Sequence, residues 1–330
     1  MTNPLTIVIP TFNRINYLSK LTKFLSNEEY LYKENLNVII LNNCSEDDTK
    51  KHLEDLSKQK PHWKFINNEV NIGSDANMVK GIQNVKTNYC WIIGDDDLPL
   101  SGTIHSILEN LKRIEIGLIY ISPYWTKNIY DIKTKSKINS YQKISNYNLA
   151  KKVHVLTTFI SSWIFNVDIL KKNDPELNFI KGNIGTYFSQ LSWILPLLSN
   201  NECDFYISNG DYILATTGNT HPYKVLESFL FSFPEIVNKL LDDAKLIDII
   251  IKNYCLRYLP RLIFSVNTGV FFHTTDAKKK VKISKYLLKY PEYQFICKPT
   301  FLLSKFTPIY LARFFSKLFR LIKKLNFKSK

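Results

Sequence analysis

At 330 residues, with 45% apolar and 14% aromatic residues, the chain can build one large core or two smaller ones and is too apolar to be disordered. Five scattered cysteines (Cys44, Cys90, Cys203, Cys255, Cys297) without a CxxC pair argue against a disulfide framework or a thiolate zinc site and fit a reducing compartment. The net charge of +15 is concentrated, because residues 277–330 hold 15 Lys and Arg against Glu292 alone, and such a cationic end calls for a polyanionic partner.

The opening MTNPLTIVIPTFNR runs straight into a strand at Leu5–Pro10, with no basic n-region or cleavage site, so no signal peptide is expected. Apolar residues at Tyr17, Leu18, Leu21, Phe24 and Leu25 predict a helix from Ile15 to Ser26. The same alternation then repeats. Strands are expected at Asn37–Leu41, Trp63–Asn67 and Tyr89–Ile93, and helices through Thr49–Leu56, Ser74–Val85 and Gly102–Arg113. Strands and helices at this spacing give a mostly parallel sheet flanked by helices, an α/β fold. A strand at Gly117–Ile121 follows, then a polar stretch, Lys127–Lys152, read as an exposed excursion. Apolar character returns over Val153–Phe165, with a short helix at Asp168–Lys172, a helix at Tyr187–Leu198 and a strand at Asp211–Ala215.

After His221 the pattern is helical, over Val225–Leu241, Lys245–Val266 (bent near Pro260) and Ala277–Tyr290. The expected division is therefore an α/β domain over 1–220 and a helical C-terminal region over 221–330. Its last segment, Pro308–Lys324, places Leu311, Phe314, Phe315, Leu318, Leu321 and Ile322 opposite Arg313, Lys317, Arg320 and Lys324. That pattern suits an anionic membrane surface, and the run contains no recognisable nucleic-acid module. Residues 183–201 are broken by Gly185 and Pro196, and 262–275 is too short to span a bilayer. The expected location is cytoplasmic and peripheral, at the inner face of the membrane.

Four polar clusters follow the first four strands: Pro10, Thr11, Asn13 and Arg14; Asn42 and Asn43 with Cys44 to Thr49; Asn71 and Gly73; and Asp95, Asp96 and Asp97 after Gly94. Ligands of open α/β sheets bind at the carboxyl ends of the strands, so four clusters in that position can converge on one site. Three adjacent carboxylates repel unless a cation is shared among them, and hard oxygen ligands suit Mg²⁺ or Mn²⁺, the usual partners of a diphosphate.

In this order the motifs IVIPTFNR, LNNCSEDDT, NIG with Gly81, and GDDD resemble inverting glycosyltransferase family 2, well over about residues 4–115 and loosely over 150–220. The resemblance implies a GT-A nucleotide-sugar-binding domain. Pro10, Thr11, Asn13 and Arg14 would then lie beside the nucleotide, with Asn42 or Asn43 facing the base. Asn71 and Gly73 would line the same site, Asp95 or Asp96 would meet the ribose, and Asp97, with Asp95, the metal. It further implies a glycan or lipid-linked glycan acceptor in surface-polysaccharide synthesis. Departures are visible: Asn42 stands where the family has Asp, the ARN triplet is replaced by Asn77-Met78-Val79, and GDDD is offset from the commoner DxDD. GDDD variants occur in relatives that transfer unusual deoxysugars. Inverting transfer also needs a carboxylate base. The segment Lys181–Tyr187, where the family supplies it, has no acid, so Asp168 is the first candidate ahead of Asp174, Glu176 and Asp211. His221 is a candidate for completing the metal or diphosphate site. A sugar nucleotidyltransferase shares this sheet and metal chemistry but is expected to carry a Gly-rich basic loop after the first strand, which PTFNR lacks. A non-catalytic membrane or nucleic-acid binder is the alternative from outside enzymology.

Overall fold

The computed structural model describes residues 3–33, 35–111, 116–126, 141–216, 224–269 and 279–308, with Ala277 and Leu311. They fall into two compact units, Met1–Thr217 and Gly218–Lys330.

In the first unit the expected alternation is present: β1 (Leu5–Thr11), α1 (Ile15–Tyr32), β2 (Asn37–Asn42), α2 (Thr49–Gln59), β3 (Lys64–Asn67), α3 (Ser74–Gln83), β4 (Tyr89–Ile92), the two-residue β5 (Leu98–Pro99) and α4 (Thr103–Leu111). Then come β6 (Leu118–Thr126), β7 (Tyr141–Ile144), α5 (Asn146–Val153), β8 (Trp163–Asn166), α6 (Val167–Asn173), α7 (Leu191–Ser199) and the long β9 (Phe205–Thr216). The described strands form one sheet in the order β3-β2-β1-β4-β8-β6-β9-β5, with β7 also on β9. Strands β3, β2, β1 and β4 are mutually parallel. Strand β8 runs against both β4 and β6, while β6 and β9 are parallel. Ile7, Ile9, Val38, Ile40, Trp91, Ile93 and Ile119 pack on one face with helix residues Leu18, Leu21, Leu53 and Ile107. Both faces of β1 and β2 are buried, which is why these strands read as unbroken apolar runs.

Gly81 shows how closely α3 lies on the sheet. A Cβ there would come within 2.6 Å of Val8 Cγ1 and 3.0 Å of Leu41 Cδ1. Even alanine would force packed side chains on β1 and β2 to move, at a cost of about 1–3 kcal/mol.

Two sequence expectations are corrected. Residues 141–152 are not an open excursion: β7 pairs with β9, and α5 buries Leu149, Ala150 and Val153 beneath a Lys-rich outer face. Residues 127–140 lie outside the described residues. In the second unit, the helices Ala244–Arg257 and Leu259–Thr268 break at Pro260 as expected. The helix expected over 277–290 shrinks to Lys285–Leu288, capped by Ser284, because the lysine run before it offers like charges and no apolar stripe. A π-helical turn, Tyr293–Cys297, and the helix Lys298–Phe306 follow. Pro299 stands in the first turn of the α-helix, where the missing N–H is harmless. Among the described residues no helix is long and apolar enough to cross a membrane.

Candidate active site

The parallel strands β1, β2, β3 and β4 end on one edge, and the polar clusters expected from the sequence meet there. Thr11, the last residue of β1, donates its hydroxyl to Asp95 Oδ2 at 2.7 Å. Arg14 Nη1 lies 3.1 Å from Asp95 Oδ1 and 3.0 Å from Asp96 Oδ2. Asp97 Oδ2 accepts from Ser161 Oγ at 2.6 Å, and the same Oγ accepts from Gly94 N at 2.9 Å. Ser161 occupies the turn that leads into β8. Because β8 runs antiparallel, it starts at the edge where β1 and β4 end.

Burial raises the Asp95 pKa from its ordinary value to about 6, against the opposing pull of the Arg14 guanidinium and the Thr11 hydroxyl; Asp96 adds to the rise. For Arg14, burial works against the charge, but Asp95 and Asp96 outweigh it and the pKa is raised. The cluster therefore holds a permanent cation against Asp95, a carboxylate that burial disfavours as an anion.

Gly94 explains the offset motif. A Cβ at residue 94 would lie 3.2 Å from both Asp96 Oδ1 and Asp97 Oδ2, and 3.5 Å from Ser161 Oγ. The two carboxylates thus fold back over the glycine toward one point, and a side chain there would push them apart. Among the described residues no three His, Cys, Asp or Glu side chains form a ready metal cage. The converging pair nevertheless fits a small hard cation that takes one or two protein carboxylates and completes its shell with water and substrate phosphate. Asp95 is held by Thr11 and Arg14, Asp96 by the same Arg14, and Asp97 by Ser161. His221 lies outside the described residues.

The asparagines of the second and third clusters bond to one another. Asn42 donates to Asn67 Oδ1 and accepts from Ser45 N. Asn43 donates to Asn71 Oδ1 and accepts from Asn68 Nδ2 and Ile72 N. Both are buried, and their amides weld the turn after β2 to the segment after β3. Asn71 Oδ1 also takes Gly73 N, which sets the backbone entering α3. Asn13, in the left-handed region with φ 53°, accepts from Glu46 N and donates its own N–H to Ser45 Oγ. Pro10 is half-buried in the β1 ladder opposite Leu41.

Asp168 is at the wrong end of the sheet. Its carboxylate accepts from Asn88 Nδ2, and Val167 N donates to Asn88 O. Asn88 precedes β4 whereas Asp95 follows it, and the four residues of β4 itself, Tyr89–Ile92, span roughly 13 Å. Asp168 cannot act on chemistry at Asp95–Asp97.

Two residues that the sequence reading passed over belong at the site. Ser161 hid in an apolar stretch. Asp75, in the first turn of α3, is 4% exposed and accepts from Gly185 N, Tyr187 N and Ser189 Oγ at 2.8, 2.9 and 3.0 Å. The segment expected to supply the base, which has no acid of its own, is therefore fastened by an acid from α3. An aspartate in a first helical turn looks like ordinary dipole compensation, which is why it carried no signal.

The fold and its acidic edge define the class, a GT-A-type α/β protein. The family model of glycosyl transferase family 2 matches residues 6–173, just over half of the chain, and the chain belongs to that family. It is 32% identical over 207 residues to abequosyltransferase RfbV of Salmonella typhimurium, covering 59% of this chain and 61% of that protein. It is 29% identical over 110 residues to the GalNAc(5)-diNAcBac-PP-undecaprenol beta-1,3-glucosyltransferase of Campylobacter jejuni, covering 33% of this chain and 35% of that one. The matches thus span between a third and three fifths of these relatives' length. Among solved structures it resembles S. aureus TarS 1-349 (TM-score 0.56, 16% identity, 80% of this chain and 79% of that one). It also resembles the mannosyltransferase PcManGT of Pyrobaculum calidifontis, solved with GDP-Man and Mn²⁺ (TM-score 0.54, 9% identity, 92% and 85%). At these identities the likeness is one of fold.

Proposed function

We propose that the chain is an inverting, divalent-cation-dependent glycosyltransferase that moves a sugar from a nucleoside-diphosphate donor to a lipid-linked or membrane-proximal glycan in surface-polysaccharide synthesis. The observation that carries this reading is the gathering of Thr11, Arg14 and Asp95–Asp97 on the carboxyl edge of the parallel strands. The family, the C. jejuni relative named for a lipid-diphosphate-linked acceptor, and the Mn²⁺ in the PcManGT structure support it.

Transfer forms a bond from an acceptor hydroxyl oxygen to the anomeric carbon while the bond to the diphosphate breaks, and the electron pair leaves with the diphosphate. The acceptor proton goes to a carboxylate on the face opposite the leaving group. Asp96 and Asp97 would hold Mn²⁺ or Mg²⁺, which when bound supplies Lewis-acid neutralisation of the diphosphate. Arg14, half-exposed at the rim, is placed to swing from the aspartates toward the arriving phosphates, and Thr11 keeps Asp95 oriented. A thermal-shift screen of nucleotide sugars with and without Mn²⁺ tests the reading. One donor should raise the Tm, and more so with the metal; no shift with any donor would sink it.

The membrane part of the proposal has its own support. Phe295, Pro299, Leu302, Leu303 and Phe306 recur at helical spacing on the solvent side, with Phe295 80% and Phe306 83% exposed. Tyr293, Cys297 and Ser304 are buried on the other side, where Asn267 donates to Ser304. An outward apolar stripe set among Lys298 and Lys305 suits an anionic interface, and the Pro308–Lys324 pattern would extend it beyond the described residues. Replacing Leu303 and Phe306 together by Glu should abolish sedimentation with phosphatidylglycerol vesicles while leaving the Tm intact. Unchanged sedimentation would remove the membrane from the proposal.

A further inference from the structure

Trp125 is out of place for a tryptophan. It is 47% exposed, whereas Trp63, Trp91, Trp163 and Trp193 are 0–4% exposed. It belongs to no loose loop, for its backbone sits in the β6–β9 ladder opposite Ala215. Its ring lies against Phe159, with centroids 4.7 Å apart and planes inclined at 48°.

Phe159 is itself pinned on both sides. Gln190 Nε2 donates to Thr158 O at 2.6 Å, and two residues beyond Phe159 the Ser161 hydroxyl holds Asp97. The aromatic pair is thus tied through three consecutive residues to the carboxylate placed to grip a cation.

The topology fixes which side of the site this is. Strand β6 runs in the same direction as β1 and β4, since each is antiparallel or parallel to its neighbours through β8, so Trp125 emerges at the catalytic edge. In the order β3-β2-β1-β4-β8-β6, it stands two strands beyond β4, roughly 10 Å sideways and away from β1–β3. Thr11 and Arg14, assigned above to the donor, lie on the other side.

We propose that Trp125 and Phe159 form a shelf on which a pyranose ring of the acceptor glycan stacks. The proposal rests on the glycosyltransferase reading and names its acceptor subsite. A pyranose has an apolar C–H face and a rim of hydroxyls. A large aromatic face that stays half-exposed on a rigid strand fits such a ligand, because the apolar face is covered while the rim remains wet. Holding the shelf on a strand and pinning its second ring means that little ordering is left to do when the ligand arrives.

Because Trp125 is the one half-exposed tryptophan of the five, its emission reports on the shelf. The test uses the full chain and four probes: the methyl glycosides of glucose, galactose, mannose and N-acetylglucosamine. In the wild type, acrylamide should quench a distinct Trp125 component, and at least one glycoside in the millimolar range should protect it. Trp125→Phe should lack that component with its Tm unchanged. In glycoside-stimulated release of nucleoside diphosphate, Trp125→Ala should raise the KM for the protecting glycoside at least tenfold with a smaller change in kcat, and Trp125→Phe should recover part of it. Absence of protection by all four glycosides, or an unaltered KM in Trp125→Ala, overturns the shelf. Failure of the wild type to bind any nucleotide sugar sinks the broader reading instead, and the fluorescence arm needs no donor.

Discussion

Two buried acidic clusters in the first unit make an instructive pair. Glu29, on α1, is 8% exposed and takes hydrogen bonds from Leu36 N, Lys60 Nζ and Trp63 Nε1, with His62 Nε2 at 2.9 Å. Burial works against its charge, yet the donors from His62, Lys60 and Trp63 outweigh it and the pKa is lowered. Asp95 is 5% exposed, but there burial wins and the carboxyl is pushed up to about 6. The first cluster has met its electrostatic needs from within the chain. The second brings Asp95 and Asp96 to one arginine and Asp97 to a serine hydroxyl, so that burial of Asp95 is not offset as it is at Glu29.

The sharpest way to break this contrast is Asp97→Ala. Donor turnover should fall by about 10²–10³-fold without loss of Tm, the size seen when one electrostatic contact to a transition state is removed. Turnover within a few-fold of the wild type would remove Asp97 from the site. Glu29→Ala should do the reverse. Leaving Lys60 and His62 without their anion should cost about 3 kcal/mol in urea unfolding, with kcat preserved in protein that remains folded. Its pH dependence follows from the lowered pKa. The stabilisation is present above the ordinary glutamate range and is lost as pH falls through the folded value, so the wild type's margin over Glu29→Gln should close on acidification. A margin that stays constant to low pH would contradict the assignment.

Asp75→Asn tests a milder case. The amide keeps the shape but can accept with only one oxygen, so the 185–189 segment should loosen. We expect kcat to drop about tenfold, an order-of-magnitude figure for one misplaced supporting contact, and proteolytic nicking near Gly185 to accelerate. A variant with normal kcat and normal nicking would make Asp75 a spectator. The smallest effect belongs to Asp168→Asn, where turnover should stay within about twofold, the scale of a surface change away from the chemistry. A deep loss would restore Asp168 to candidacy and indict the strand register placing it far from the aspartates.

The contrast between clusters also marks what the sequence could tell. The run Tyr89–Asp97 announced a strand and an acidic edge because apolar residues and carboxylates abut without a gap. Thr11 and Arg14 were legible for the same reason. Asn42 and Asn43 were legible in place but not in their partners, since an amide that braces a turn and one that meets a ligand share the same letter. Asp75 and Ser161 were invisible because their partners lie 110–114 and 64 residues away along the chain. Asp168 was misread because pattern alone does not give the direction of β8. Only its pairing with β4 reveals that the chain had turned round.

That reversal has a further consequence. Trp163–Asn166 is four residues long, carries Ser161 at one end and Asp168 beyond the other, and is buried throughout. It acts as a ruler between two edges of the molecule. Deleting one residue from it would do more than shorten a strand. The alternation of faces would invert, so that Trp163 and Phe165 exchanged sides with Ile164, and the serine hydroxyl would be drawn back from Asp97 by about 3.3 Å. Insertions and deletions should therefore be far rarer here in working relatives than in the loops on either side.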